Sequence, residues 1–457
     1  MYLALIPLCT SLFFIFSIPG TNALRYFFAL LLLLISSVQV FKKKDFFLEL
    51  LFDKRVGAII LAFLALTIYI LLHIIFKSHD VLWSIKSFKG HWAVPLIMLM
   101  LGGFLAIAFS TYKKLNTKIL ITSIFFGLMS HIVYVDLVSI ENFLQNGELL
   151  TRYYGLVGTP VSISYIADIL IAMTLSDLIY RYKSSDRIIQ ISKNYLLLSI
   201  VLILFSNVVS DMRNGAIVLL FILILGTYFF YKQSNFDYKN KSLKIFLLAI
   251  ILSLPIGINL MTDHRWSTLA DTFTIASETD KYTIWYEMDR WTAVESEFPK
   301  INEKERVDAS NYLRLAWIFK SIDYLAKDPM GIGFGRNAFG HMIQKYEGID
   351  SARGFHSHSS VFDLALAVGL PWILMWFLTV ALILRIFYKS FKIQPNFYSI
   401  FGFILTSSFF IRSFLDSNMR DHPIQQFAII FGIVLILDTI EKIKNSQDEK
   451  NSANQSQ

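Results

Sequence analysis

The chain has 457 residues, of which 55% are hydrophobic and only 17% are charged, a composition typical of proteins whose helices cross a membrane repeatedly. Its net charge of +8 is spread along the chain rather than gathered into one patch, which argues against a nucleic-acid-binding protein. A single cysteine, Cys9, excludes an intramolecular disulfide, so every segment has to fold without one.

Apolar runs of roughly 17–25 residues recur along the chain, which is the length that a helix needs to cross the hydrocarbon core. We predict twelve such spans: 2–20, 26–41, 56–76, 93–112, 119–140, 161–180, 195–210, 214–231, 245–261, 360–387, 397–415 and 424–440. The predicted fold is therefore an all-α polytopic membrane protein. Its parts are helices 1–9 in 1–261, a large helical loop in 262–356, helices 10–12 in 357–440, and a polar tail in 441–457.

Basic residues favour alternate loops, as expected when positive charge is retained in the cytoplasm. These loops follow spans two, four, six, eight and ten, and the tail is basic as well. Both termini are then predicted to be cytoplasmic, and the large loop 262–356 lies on the opposite, outer side. The loop 77–92 runs against this pattern, because it would place Lys77, Lys86 and Lys89 outside.

Within the large loop, residues 308–327 predict a helix that Asp308 or Ser310 caps and that Asp328 and Pro329 end. Its apolar stripe at helical spacing is Leu315, Ile318, Phe319, Ile322 and Leu325. The glycine-rich run 331–335 follows. It lacks the lysine of a phosphate-binding loop, and no strand precedes it, so we favour a structural turn over a phosphate cradle.

Three cationic positions on the outer side suggest chemistry on an anionic substrate. Arg213 lies in a very short hairpin, Arg314 lies on the predicted loop helix, and His356 and His358 precede the tenth span. Arginine matches a diphosphate with its planar fork, and histidine can act as a general base on a hydroxyl. Since residues two apart on a helix project to nearly opposite sides, we expect at most one of the two histidines to be catalytic.

Each of these positions also has a simpler interpretation. Arg213 alone would be an interfacial side chain that reaches towards water, and the histidines would be polar residues at the start of a helix. Arg314 would be a solvated residue that pairs with Asp308 or Glu305.

Two further sets of polar residues each allow more than one role. His131, Asp136, Asp168 and Asp177 lie in predicted spans, where ionisable groups are functional candidates and would favour a transporter. For Asp136 and Asp177 a position at a solvated helix end is equally plausible. Before the last span, a charged cluster is either a structural ion-pair cap or part of a site: Arg412, Asp416, Arg420, Asp421 and His422. No residue set has zinc spacing, so we expect no metal and no cofactor.

The large loop and the span after it resemble the bacterial O-antigen ligase family. The resemblance is carried by Tyr312–Trp317, Asp328–His341, His356–Leu364 and Gly369–Pro371, and it covers about 60 residues, 311–372. The layout of twelve spans with one large outer loop extends it over the chain. The family belongs to a superfamily with O-antigen polymerases and protein O-oligosaccharyltransferases, and its fold is similar to the GT-C class of glycosyltransferases.

The resemblance implies a function and a cellular location. Such ligases act at the periplasmic face of the bacterial inner membrane, where they take O-antigen polysaccharide from undecaprenyl diphosphate. They join it to a sugar hydroxyl of lipid A–core during lipopolysaccharide biosynthesis, without ATP or a required metal. One-step displacement of the diphosphate would invert the anomeric centre. The expected partners are therefore this donor, this acceptor and membrane lipid, and no nucleic acid.

The resemblance also implies roles for single residues. The family's hairpin arginine falls on Arg213, its loop arginine on Arg314, and its histidine on His358, which has the matching distance to Gly369. His358 would take the proton of the acceptor hydroxyl, and the two arginines would hold the diphosphate. In the family an asparagine commonly follows the histidine, whereas Ser359 follows it here. We also expect His356, Arg336 and Arg420 to contact substrate.

Three other functions remain open. An O-antigen polymerase would use the same donor with a second lipid-linked glycan as acceptor, and a protein O-oligosaccharyltransferase would use a protein. A lipid-linked glycan flippase would also have twelve spans and buried charges. It would need no large outer loop with histidines and arginines, and the two equal halves that would favour it are absent from the sequence. The sequence leaves the oligomeric state open.

Overall fold

The computed structural model describes residues 2–184, 186–233, 257, 266–287, 298–302 and 305–455. Within these ranges every regular element is a helix, apart from one isolated bridge between Lys300 and Arg306. Ten of the described helices are long and apolar enough to cross a membrane. The prediction of an all-α, multi-pass membrane protein is confirmed at this level.

The described residues of the first half of the chain contain ten α-helices and one π-helical turn, which joins α5 to α6 at Lys89–Ala93. The helices are α1 (Leu5–Ile15), α2 (Asn22–Lys42), α3 (Lys44–Leu51), α4 (Lys54–Phe76), α5 (Val81–Phe88), α6 (Val94–Thr111), α7 (Thr117–Asn146), α8 (Pro160–Lys183), α9 (Lys193–Ser210) and α10 (Arg213–Gln233).

Eight more helices are described after α10. They are α11 (Leu269–Ser277), α12 (Ile284–Glu287), α13 (Ala309–Lys327), α14 (Ala338–Glu347), α15 (Ser360–Val368), α16 (Leu370–Ile393), α17 (Phe397–Leu415) and α18 (Asp421–Gln455). The last helix continues well beyond the predicted end of span twelve at 440, because residues 441–455 contain neither proline nor glycine.

Ten of the twelve predicted spans correspond to these long helices. The first predicted span forms only the 11-residue helix α1, which is too short to cross the hydrocarbon core and is followed by Pro19 and Gly20. The ninth, 245–261, lies outside the described residues apart from residue 257. The fourth is longer than predicted, because α5, the π turn and α6 form one continuous helix over Val81–Thr111.

The tenth predicted span is broken at Gly369, which separates α15 from α16. Gly369 has φ +86° and ψ 169°, a conformation that is essentially restricted to glycine. A Cβ at this position would lie 2.5 Å from the carbonyl oxygen of Met330. The chain therefore turns at Gly369 because the segment after α13 packs directly against it.

The glycine-rich run 331–335 has a structural role at this break. The amides of Ile332 and Gly333 donate to the carbonyl oxygens of Leu366 and Ala367, at 2.9 and 2.8 Å. These two carbonyls belong to the last turn of α15, where a helix has no partners of its own. Because these amides are occupied, the structure supports the turn that we favoured over a phosphate cradle.

The loop helix α13 confirms the prediction for 308–327, and Asp308 is its cap, since its carboxylate accepts from the Asn311 amide at 2.8 Å. The predicted apolar stripe is only partly correct, because Ile322 is 51% exposed. The buried face is instead rich in aromatic residues, and it packs on α14 and on the segment before α13. Its members include Tyr312, Leu313, Ala316, Trp317, Lys320 and Tyr324.

The long helices begin and finish at two opposite ends of the bundle, which we call the basic end and the cavity end. At the basic end, α8 finishes, α7, α9 and α17 begin, and Lys118 pairs with Asp186 at 2.5 Å. At the cavity end, α7, α9 and α17 finish, and α8, α10 and α18 begin. The almost completely buried helix α8 joins the two ends, packed among α9, α10 and α17.

Candidate functional site

A cavity of about 570 Å³ opens at the cavity end of the bundle. Its walls come from stretches that are far apart in sequence: the α7–α8 loop, the α9–α10 turn, α13, the segment before α15, and the α17–α18 turn. Its lining arginines, histidines and aspartates are Arg152, Arg314, Arg412, Arg420, His356, His358, His422, Asp416 and Asp421. Four arginines against two carboxylates make the cavity suitable for an anionic ligand.

His356 and His358 both line this cavity, with ring centroids 4.1 Å apart. The expectation that they point to opposite sides of a helix is wrong, because α15 begins only at Ser360 and both histidines lie in the irregular segment before it. His358 has φ +56°, a left-handed conformation that is uncommon outside glycine. The two rings therefore lie close together at one site.

Trp317 supports the ring of His358 from the loop helix. The two rings stack with centroids 5.2 Å apart and planes 8° from parallel. The indole Nε1 of Trp317 donates to the carbonyl oxygen of Trp285 at 2.8 Å, which fixes the orientation of the indole. Arg314 precedes Trp317 by three residues, so both project from one side of α13. One helix thus carries Arg314 and positions His358.

Ser357, between the two histidines, is held by a partly buried carboxylate. Its amide donates to Oδ1 of Asp363 on α15 at 2.8 Å, and Ser357 is almost completely buried. Burial lowers the pKa of Arg420, and the neighbouring carboxylate of Asp363 opposes that shift. Asp363 therefore connects residues 356–358, which we call the histidine segment, with an arginine of the same cavity.

Ser359, which stands where the resembled family commonly has asparagine, points away from the cavity. It is 1% exposed, and its hydroxyl donates to the carbonyl oxygen of Ser413 on α17 at 3.3 Å. The next amide, that of Ser360, donates to the carbonyl oxygen of Asp416 at 3.1 Å. Both bonds attach the histidine segment to the end of α17, so Ser359 has an anchoring role in this chain.

Arg213 is the first residue of α10 rather than the middle of a hairpin loop. Its guanidinium donates to the side-chain oxygen of Asn311 and lies 3.7 Å from the carboxylate of Asp308. Both partners belong to the beginning of α13, one turn before Arg314. Of the α9–α10 turn, Met212 lines the cavity. Arg213 thus joins α10 to the beginning of α13.

Arg420 and Arg336 lie in neighbouring positions. Arg420 lines the large cavity and also a smaller one of about 40 Å³, which Arg336 and His91 line as well. The guanidinium of Arg336 is about half exposed and lies 3.5 Å from the carboxylate of Asp421. Arg420 therefore belongs with the two histidines, and Arg336 lies beside their cavity.

Arg412 and Asp168 form a buried ion pair at the wall of the cavity. The Arg412 guanidinium is 1% exposed, donates to Asp168, and also donates to the carbonyl oxygen of Val161 at 3.3 Å. It lies over the ring of Tyr165 at 5.4 Å. The ion-pair interpretation of the charged cluster thus holds for Arg412, which binds one carboxylate oxygen of Asp168, whereas within the described residues the other oxygen has no hydrogen-bond partner.

Two of the other polar groups in spans also have structural partners. Asp177 pairs with Arg181 at 2.6 Å, and a ring nitrogen of His131 lies 2.6 Å from the carbonyl oxygen of Phe14. Asp136 is buried, and within the described part of the chain its carboxylate has no hydrogen-bond partner. In the same part, no group of three or more His, Cys, Asp and Glu side chains could hold a metal ion.

Arg152 is a charged cavity residue that is not among the predicted site residues. It lies in the loop between α7 and α8, on the predicted outer side, where the positive-inside pattern makes an arginine unusual. That asymmetry was the available signal. Trp317 belongs to the segment that resembles the ligase family, but only the fold shows that it packs against His358.

Comparison with known proteins returned no family model that matches the chain and no match among curated proteins.

Proposed function

We propose that the protein is an O-antigen ligase, a glycosyltransferase of the bacterial inner membrane that acts on the periplasmic face. It would transfer O-antigen polysaccharide from undecaprenyl diphosphate to a sugar hydroxyl of lipid A–core. The observation that carries this proposal is the convergence of Arg314, His356 and His358 on one cationic cavity at the end of the bundle away from the basic loops. That arrangement supplies a base and anion-binding groups together, as the reaction requires.

The base is His358 in this proposal. The acceptor hydroxyl has to lose its proton as its oxygen attacks the anomeric carbon, and a neutral imidazole at the cavity wall can take it. The stacked Trp317 and the left-handed backbone hold the ring in one orientation, which favours a productive geometry. His356, whose ring lies 4.1 Å away, contacts the substrate beside it.

The leaving diphosphate needs its charge neutralised as the glycosidic bond to it breaks. Arg314 and Arg420 line the cavity and offer planar guanidinium groups that remain charged at any working pH. The donor already carries its transfer energy in the diphosphate linkage, so no nucleotide is consumed. Direct displacement by the acceptor oxygen inverts the anomeric centre.

Arg213 contributes through Arg314 in this geometry. Its contact with Asn311 holds the first turn of α13, and Arg314 lies three residues further along the same helix. The resemblance assigns diphosphate binding to Arg213, whereas the contacts support a positioning role. The two roles predict different kinetics: a positioning residue affects chiefly the rate of transfer, and a diphosphate ligand also affects the KM for the donor.

A reconstitution with purified protein in proteoliposomes, lipid-linked glycan and lipid A–core tests the proposal. Glycan attached to lipid A–core, lost in His358→Ala and retained in the matched variant of an exposed histidine, His79→Ala, is the expected result. Longer lipid-linked chains without transfer to core would assign a polymerase. Glycan on an added protein acceptor would assign a protein O-oligosaccharyltransferase, and transbilayer movement without a new bond would assign a flippase.

A further inference from the structure

The loop between α7 and α8 contributes a separate part of the cavity wall. Arg152, Tyr154, Gly158 and Thr159 all line the cavity, and none of them takes part in the proposed chemistry. Arg152 is exposed and Tyr154 is 40% exposed, so both lie on the open side of the cavity. This position suits the parts of a long glycan that are remote from the reacting bond.

The loop is held in place at two points. Gly155 has φ +55°, and a Cβ there would lie 2.9 and 3.0 Å from side-chain carbons of Tyr134 and Val135 on α7. At its other end, the hydroxyl of Thr159 accepts from the Ser162 amide at 3.2 Å and caps α8. The loop therefore presents Arg152 and Tyr154 from a fixed position.

The lack of an anionic partner among the described residues distinguishes Arg152 from two other arginines of the cavity. Arg412 is paired with Asp168, and Arg420 lies beside Asp363. For Arg152, the described part of the chain provides no ion pair and no hydrogen bond. Its φ of +56° is also a left-handed conformation, which is unfavourable for a residue with a side chain. A strained backbone that presents a cation to a cavity points to a ligand.

Tyr154 lies two residues after Arg152, lines the same cavity and adds a second kind of contact. Its ring is stacked on that of Tyr153, with centroids 6.4 Å apart and planes 22° from parallel. An exposed aromatic face packs against the apolar C–H face of a sugar ring, while its hydroxyl remains free to hydrogen-bond. An aromatic face next to a planar guanidinium is complementary to a sugar that bears an anionic substituent.

We propose that Arg152 and Tyr154 form a binding subsite for an anionic sugar, one that carries a phosphate or a carboxylate. The inference rests on the proposed function, because it takes the ligand of the cavity to be a glycan. The anionic sugar can belong to the acceptor or to the transferred glycan, and these share the same chemistry. The subsite would select charged glycans over uncharged ones of equal size.

Direct binding to the purified full-length protein in detergent tests this without turnover. The probes are lipid A–core with and without its core phosphates, and lipid-linked glycan with and without a uronic acid. We expect Arg152→Gln to weaken binding of a charged probe about tenfold and to leave its uncharged counterpart unchanged. Arg152→Lys should fall between, because lysine lacks the planar fork. Arg187→Gln, at the basic end, is the matched control.

The outcomes separate the two proposals. A tenfold effect on phosphorylated core places the anionic sugar in the acceptor, and the same effect on the uronic-acid glycan places it in the donor. Equal affinity of the wild-type protein for charged and uncharged probes would overturn the subsite, as would an equal loss for both in Arg152→Gln. If charge preference follows Arg152 but no transfer to core occurs on reconstitution, the ligase proposal fails and the subsite stands.

Discussion

Replacing Asp363 with alanine should disable the histidine segment without touching a histidine. The Ser357 amide donates to Asp363 at 2.8 Å, and Ser357 is 1% exposed, so water cannot replace the lost acceptor easily. A hydrogen bond to a charged group contributes about 1.5–3 kcal/mol. If the segment relaxes by about 1 Å to satisfy the amide, the rate of transfer should fall roughly 100-fold. Asp363→Asn keeps a side-chain oxygen and should retain most activity.

The assay measures transfer to lipid A–core in proteoliposomes together with thermal unfolding in detergent. Asp350→Ala, which removes an exposed carboxylate between α14 and α15, is the control and should leave both quantities unchanged. Wild-type turnover in Asp363→Ala would refute the positioning argument. Equal inactivity of the alanine and asparagine variants would also refute the positioning argument. In that case the negative charge beside Arg420 would matter rather than the hydrogen bond to Ser357.

Three further predictions concern the same site and its support. His358→Ala and Arg314→Ala should abolish transfer while the folded protein remains in the membrane; an active His358→Ala beside an inactive His356→Ala would assign the base to His356. Arg213→Lys should lose most of the transfer rate with little change in the KM for the donor, because lysine cannot reproduce the guanidinium contacts to α13, and a wild-type rate would contradict that role. Gly369→Ala should destabilise the protein by about 3 kcal/mol or more, seen as a lower unfolding temperature, because of its backbone conformation and its contact with Met330.

Local signals in the sequence determined most of the helices. Runs of apolar residues predicted ten of the long helices, because a segment in lipid has to satisfy its own backbone hydrogen bonds. The Asp308 cap and the Asp328–Pro329 stop predicted both ends of α13. Arg314, Arg420 and both histidines were identified by charge and position, and all four line the cavity.

Contacts between distant segments decided the features that the sequence left open or misplaced. In the sequence, Gly369 is one glycine within an apolar run, and nothing local predicts a break. The helix breaks there because Met330 packs against Gly369. The histidine rings meet because Asp363 and Ser413 hold the backbone around them outside any helix. Arg152 joins the site through loop packing alone.

The sequence by itself determined that this chain crosses a membrane repeatedly. It also determined that alternate loops are basic and that one polar loop is much longer than the others. Hydrophobic length and charge are properties of short segments, so they can be read without neighbours. Only the tertiary structure decided which cations share a cavity, which are neutralised, as Arg412 is by Asp168, and which join two helices, as Arg213 does. Those outcomes depend on distances between helices, and no local pattern encodes such distances.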